Sequence, residues 1–165
     1  ECYVINSFSK FFSMTGWRVG WMVVPQNHIR VVERLAQNLF ICSPHVSQIA
    51  ALEAMSCEEE LSQNLNIYSK NRQIIMDGLQ HVGLESFAPP DGAFYFYIDI
   101  SKYSDDSLSF CNDILKEVGV AITPGVDFDP ERGKTTIRIS YARSTDEIKE
   151  GVTRLSQFMK KRGYF

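Results

Sequence analysis

Apolar positions along the chain recur at two different periods, and the change between them sketches its organisation. "CYVI" (2–5) and "VGWMVV" (19–24) are short apolar runs on either side of a glycine- and serine-rich stretch, the pattern of strand, loop, strand. Both runs are too apolar to be half-exposed. They suit strands buried on both faces of a larger sheet, which the rest of the chain does not supply. Residues 28–42 and 45–56 read as two helices broken at Ser43-Pro44, because proline disfavours helical geometry in the residue before it. A long helix over 57–82 comes next. Ser56 and Glu59 have capping-box spacing, Leu61, Leu65, Tyr68, Ile75, Leu79 and Val82 recur along one stripe, and Gly83 stands where a helix stops.

From there the pattern alternates more tightly. "AFYFYIDI" (93–100) is a strand after the turn Pro89-Pro90-Asp91-Gly92, and Leu108, Cys111, Leu115 and Val118 mark a helix ended by Gly119. "VAIT" (120–123) and "TTIRISYA" (135–142) are two more strands. Ser144 and Glu147 form a second capping box, and Ile148, Val152, Leu155 and Met159 define a last helix, closed by Lys160, Lys161, Arg162 and Gly163. The expected division is the long helix, followed by a β-α-β-β-α unit. The fold class is α/β, with an α+β unit at its C-terminal end.

Composition narrows the partners. At 165 residues and 44% apolar content the chain can bury one ordinary core. Its net charge of −3, from 17 basic and 20 acidic residues, gives neither a footprint for nucleic acid nor a polybasic membrane patch. No apolar run approaches the ~20 residues that span a bilayer. Cys2, Cys42, Cys57 and Cys111 lie far apart, with no CxxC pair and no histidine at ligand spacing, so neither a metal site nor a redox dithiol is expected. A reducing, cytoplasmic setting follows as the expectation. His28, His45 and His81 are scattered and read as surface or structural residues. The chain opens on "ECYVI" rather than methionine, already in strand pattern, which suggests that something upstream has been removed.

The chemistry concentrates in "SFSKFFSMTGWRVGW" (7–21). A lysine beside a serine is ordinarily a solvated charge. Here Lys10 shares its turn with Arg18, a permanent cation that can also grip a phosphate or carboxylate with two hydrogen bonds. A lysine becomes a nucleophile toward carbonyl carbon when it can lose its proton, which burial or a nearby cation favours. Ser7 and Ser9 add hydroxyl donors, and Gly16 and Gly20 let backbone approach a ligand closely. A Schiff-base lysine next to phosphate-binding groups is what a phosphorylated aldehyde cofactor needs, and pyridoxal 5′-phosphate is the natural candidate.

Ser7-Phe8-Ser9-Lys10, followed by Met14-Thr15-Gly16-Trp17-Arg18-Val19-Gly20-Trp21, resembles the pyridoxal-phosphate attachment region of the class I/II aminotransferases of fold type I. "FICSPHVSQIAALEAM", "PPDGAFYFYIDI", "VAITPGVDF" and "IRISYARS" resemble further family segments in the family's order, so the likeness covers essentially the whole chain. The resemblance implies that Lys10 carries the cofactor as a Schiff base and then serves as general base between the substrate α-carbon and the cofactor. Ser7 and Arg18 would bind the phosphate, with Ser9 assisting. It also implies amino-acid and 2-oxo-acid substrates and a homodimer.

Alternation along "TTIRISYA" puts Thr136, Arg138 and Ser140 on one strand face and Ile137, Ile139 and Tyr141 on the other. Alone, Arg138 would be a solvent-facing charge. The resemblance implies instead that it pairs with the substrate α-carboxylate, ahead of Arg132 and Arg143. In "PGVDF" the sequence departs from the family's commoner glycine-containing loop, since Asp129-Pro130 follows Phe128, which bears on loop shape and substrate access. Phe94 is read as core.

The family's complete enzymes have a long region before the lysine. By resemblance, residues 1–56 are a remnant of the large cofactor-binding domain, 57–82 an interdomain helix and 83–165 the C-terminal small domain, a small mixed sheet with helices packed on it. The chain is then the C-terminal portion of an aminotransferase, with little activity alone. Its strands at 2–5 and 19–24 are expected to be disordered or to pair with another copy. Two readings compete: a lyase on the same scaffold, of the C–S lyase or cyclopropane-carboxylate synthase kind, and a cofactor-binding sensor domain of a transcription regulator.

Overall fold

Strand pairing begins with the two apolar runs that flank the opening turn. A computed structural model describes residues 2–165, in which Val4–Ser7 (β1) and Gly20–Val23 (β2) pair antiparallel, Val4 opposite Val23 and Ser7 opposite Gly20. Each strand thus satisfies one edge of the other, so neither is disordered. The register requires glycine at position 20, where a Cβ would sit 2.6 Å from the Asn6 carbonyl oxygen. All eight paired residues are exposed, so the expected burial on both faces is not provided by this chain.

The chain divides into two units, the first reaching Asn64 and the second running from Leu65 to Phe165. In the first, Ile29–Leu39 (α1) ends three residues earlier than expected, and Ile41 takes a positive φ of 69° ahead of Ser43-Pro44. His45–Ala54 (α2) starts directly after Pro44. Its Ala51 packs with Phe8, Met14 and Val19, which are the buried apolar residues of the opening turn. Glu58–His81 (α3) is a single helix, and the boundary between the units falls inside it. Glu58, Glu59 and Glu60 fill its first turn, where negative charge meets unpaired N–H groups.

The second unit contains Tyr95–Asp99 (β3), Ser107–Val118 (α4), Thr123–Pro124 (β4), Thr136–Ser140 (β5) and Thr145–Lys161 (α5). The strand order is β3-β5-β4. Because β5 opposes both neighbours, every ladder is antiparallel, which corrects the mixed sheet expected from sequence. The reason is topological: α4 carries the chain across β5, so the two strands it joins run alike but never touch. β4 is also shorter than "VAIT", since only Thr123 and Pro124 reach β5. Proline donates nothing to a ladder and ends the pairing there.

Alternation decides what is buried. Phe96, Ile98 and Ile137 face inward and are covered by Ile75 and Leu79 of α3 with Val82 just after it, Phe110, Cys111 and Ile114 of α4, and Ile148, Leu155, Phe158 and Met159 of α5. Tyr95, Tyr97 and Arg138 lie on the other face. Asp106 caps α4 by accepting the Leu108 and Ser109 N–H groups, each at 3.1 Å, and Gly119 ends it in a left-handed conformation. Ser144 and Glu147 form the expected capping box on α5. Thr136 is an exception to a simple polar face: it is buried, with its hydroxyl 2.7 Å from that of Tyr97. Among the described residues no helix is long and apolar enough to cross a membrane.

Candidate functional site

The residues singled out by sequence fall into both units. Ser7, Ser9, Lys10 and Arg18 belong to the first, Arg138 to the second.

In the first unit the turn after β1 is built by local hydrogen bonds. The Ser7 N–H donates to Asn6 Oδ1 at 2.8 Å, and the Ser7 hydroxyl oxygen accepts the Ser9 N–H at 3.0 Å. The two serine hydroxyls lie 2.9 Å apart. Beneath them Phe8 is buried, its N–H donating to Val19 O at 3.2 Å while its carbonyl accepts the Met14 N–H at 3.1 Å. Apolar side chains therefore anchor the turn while Ser7, Lys10 and Arg18 are presented outward, all three exposed.

Two further bonds close the turn. The Thr15 hydroxyl donates to Ser9 O at 2.6 Å, and Thr15–Trp17 wind into one 3-10 turn. Arg18 follows with a left-handed φ of 52°, which folds its guanidinium back so that Nη1 donates to Thr15 O at 2.8 Å. One cation, one amine and three hydroxyls are thus gathered on a single exposed loop, a donor set suited to a phosphorylated aldehyde. Sequence reasoning did not single out Thr15, although its place between "SK" and "GWR" was visible.

In the second unit Arg138 lies opposite Tyr97 on one side and Thr123 on the other. Its guanidinium carbon is 4.1 Å from the centre of the Phe128 ring and 5.3 Å from that of Tyr95. Nε is buried without a hydrogen-bond partner, and Arg138 enters no ion pair among the described residues. Tyr95, Tyr97, Phe128, Asp129, Pro130 and Arg138 line an open hollow of about 420 Å³. The guanidinium keeps N–H groups with which a carboxylate could be bound by two bonds.

The nearest carboxylate in this loop is already committed. Asp129 Oδ1 accepts the Glu131 and Arg132 N–H groups, each at 2.9 Å, and Oδ2 accepts Arg132 Nε at 3.1 Å. These bonds, the backbone ones first, hold its carboxyl below the ordinary range. Arg132 is thereby occupied, and Arg143 lies 3.7 Å from Glu147. Tyr95 was detectable in sequence, because period two places it on the Arg138 face; the approach of Phe128 depends on how its loop folds. Phe94 is half-buried and packs against the core. A second brace, Asn71 of α3, is fully buried and donates to Tyr141 O and Arg143 O at 3.1 and 2.7 Å, tying down the exit of β5. Among the described residues no three His, Cys, Asp or Glu side chains gather to hold a metal.

Comparison with known proteins gives one consistent result. The sequence profile described as aminotransferase class I and II matches residues 1–155. The chain is 46% identical over 158 residues to the valine–pyruvate aminotransferase of Mycobacterium tuberculosis, covering 94% of this chain and 41% of that protein. A solved structure from Silicibacter pomeroyi superposes with a TM-score of 0.96 at 60% identity, over 98% of this chain and 44% of that one. The solved structure of an aminotransferase from Mycobacterium tuberculosis superposes with a TM-score of 0.93 at 45% identity, over 96% of this chain and 42% of that one. The chain therefore spans about two fifths of the length of the relatives it matches.

Proposed function

The chain belongs to the class I and II aminotransferases, and we propose that it supplies the lysine-bearing and carboxylate-binding portion of an enzyme that moves an amino group between an amino acid and a 2-oxo acid. Members of this family depend on pyridoxal phosphate. When bound, that cofactor supplies an electron sink that makes the α-proton of an amino acid acidic. The observation that carries the reading is the gathering of Ser7, Lys10 and Arg18 on one anchored turn.

Each side chain then has a separate task. Arg18 and Ser7 hold the phosphate, the guanidinium by charge and the hydroxyl by hydrogen bonding. Lys10 would hold the cofactor's aldehyde carbon through its amine, and the same amine would be the base placed to take the proton from the substrate α-carbon. Arg138, beside the Phe128 and Tyr95 rings, would grip the α-carboxylate with two hydrogen bonds. In this reading residues 1–56 belong to a large domain, 57–82 to a connecting helix and 83–165 to a small domain. The whole protein would act as a homodimer, and the four free cysteines of this chain suit a cytoplasmic setting.

The groups that would oppose the pyridine ring are not among the residues assigned here, so we propose that the chain binds the cofactor but turns over little substrate by itself. The test is to incubate the chain with pyridoxal phosphate, reduce with borohydride and map the modified lysines by mass spectrometry. Lys10 should be modified ahead of the other lysines, and addition of an amino acid should release no appreciable 2-oxo acid. Labelling spread evenly over the lysines would sink the site assignment, and sustained 2-oxo-acid release would sink the claim of low activity.

A further inference from the structure

Thr15 joins the two halves of the opening turn. Its hydroxyl donates at 2.6 Å to the carbonyl of Ser9, the residue immediately before Lys10, and its own carbonyl accepts Arg18 Nη1 at 2.8 Å. The segment between them turns tightly: the Ser13 N–H donates to Lys10 O at 2.9 Å and Ser13 takes a positive φ of 55°, while Lys10 and Phe11 are exposed. A threonine is suited to such a brace, because two heavy atoms on Cβ restrict χ1 and so aim the hydroxyl.

We propose that Thr15 is a positioning residue that fixes the distance and direction between the Lys10 amine and the Arg18 phosphate clamp. The inference rests on the cradle reading above and adds a role that the reading does not require. Losing the hydroxyl removes the bond to Ser9 O but leaves Arg18 on the Thr15 carbonyl. The lysine-bearing arm then loses its tie to the residue that holds the guanidinium and can move relative to it. A ligand that must satisfy both ends at once, with an aldehyde at one end and a phosphate at the other, then gains less from its second contact.

Thr15 is exposed and lies outside the cluster of Phe8, Met14, Val19 and Ala51, so a substitution there leaves the apolar anchors of the turn in place. This separates positioning from folding. The experiment compares wild type, Thr15→Val, which keeps the shape, and Thr15→Ser, which keeps the hydroxyl. Each is reacted with pyridoxal phosphate and, separately, with pyridoxal, which lacks the phosphate. The Lys10 adduct is trapped with borohydride and its rate of appearance measured by mass spectrometry. Amide hydrogen exchange across residues 9–18 is followed without any aldehyde present.

Wild type and Thr15→Ser should prefer the phosphorylated aldehyde, while Thr15→Val loses about tenfold of that preference, the scale of one hydrogen bond. Exchange of the Ser13 and Trp17 amides should quicken in Thr15→Val with the melting temperature unchanged. A Thr15→Val chain that keeps the preference, or that slows equally with both aldehydes, overturns the coupling alone. A wild type with no preference for the phosphorylated aldehyde overturns the cradle reading, and the coupling with it.

Discussion

A side chain's surroundings can reverse what its type would suggest, and Cys111 shows this in measurable form. It sits in the core between α4 and its neighbours, 5% exposed, and burial, aided by the charge of Asp127, pushes its thiol from 9.0 up to about 11. Cys2 and Cys42 are exposed. A disulfide reagent near pH ~8 should therefore modify Cys2 and Cys42 at once and Cys111 only on unfolding. The sign of the pH effect follows from the raised value. The unfolded chain loses this proton first, so the contribution is fully present below about 9 and is lost as pH rises toward about 11. Urea unfolding at the two ends of that window should show the native state weakening with pH, and Cys111→Ala should reduce the slope. Arg138 is the complementary case: a strand arginine that composition would leave in solvent has its guanidinium near the Phe128 and Tyr95 rings and its Nε buried without a hydrogen-bond partner.

Elements meet according to what their closest atoms permit. Gly78 lies in the interior of α3, where glycine costs about 1 kcal/mol against alanine in helix propensity. It is nevertheless the residue that fits. A Cβ there would come within 2.3 Å of Val152 Cγ1 on α5, and a β-branched side chain cannot turn away freely. Gly78→Ala should destabilise the second unit by a net ~1–2 kcal/mol, the overpacking outweighing the propensity gain. Gly151 of α5 meets nothing within 4 Å, so Gly151→Ala should be neutral or stabilising by up to ~1 kcal/mol. Thermal melts of the two variants check both signs. The capping boxes rank similarly: Ser144 was readable because its partner Glu147 is local, whereas α4 is capped by Asp106, two residues before the apolar repeat that revealed the helix.

At the scale of the molecule, burial is unequally shared. The first unit has a small cluster of Phe8, Met14, Val19 and Ala51, and its strands and most of α1 leave apolar side chains such as Ile5, Leu35 and Leu39 exposed. The second unit holds the large cluster, to which Ile75 and Leu79 contribute from the far half of α3 and Val82 from just beyond its end. Residues 65–165 expressed alone should therefore unfold in one cooperative transition, and a piece starting at residue 83 should be markedly weaker for want of those three side chains. Calorimetry of the two pieces checks this, and equal stability would contradict it.

Local chemistry and periodicity alone determined most of the helices and strands, the Ser144–Glu147 cap and the turn that bears Lys10, Ser7 and Arg18, while the Ser56–Glu59 box does not form and α3 begins at Glu58. Those features depend on residues a few positions apart, where spacing translates directly into geometry. The tertiary structure decided what depends on remote partners: that β1 and β2 pair with each other, that every ladder is antiparallel, that Phe128 and Tyr95 cover Arg138, and that Asn71 holds the end of β5 from 70 residues away. Thr15 falls between the two. Its residue type and place were plain in the sequence, but only the folded turn brings its hydroxyl to Ser9 and its carbonyl to Arg18.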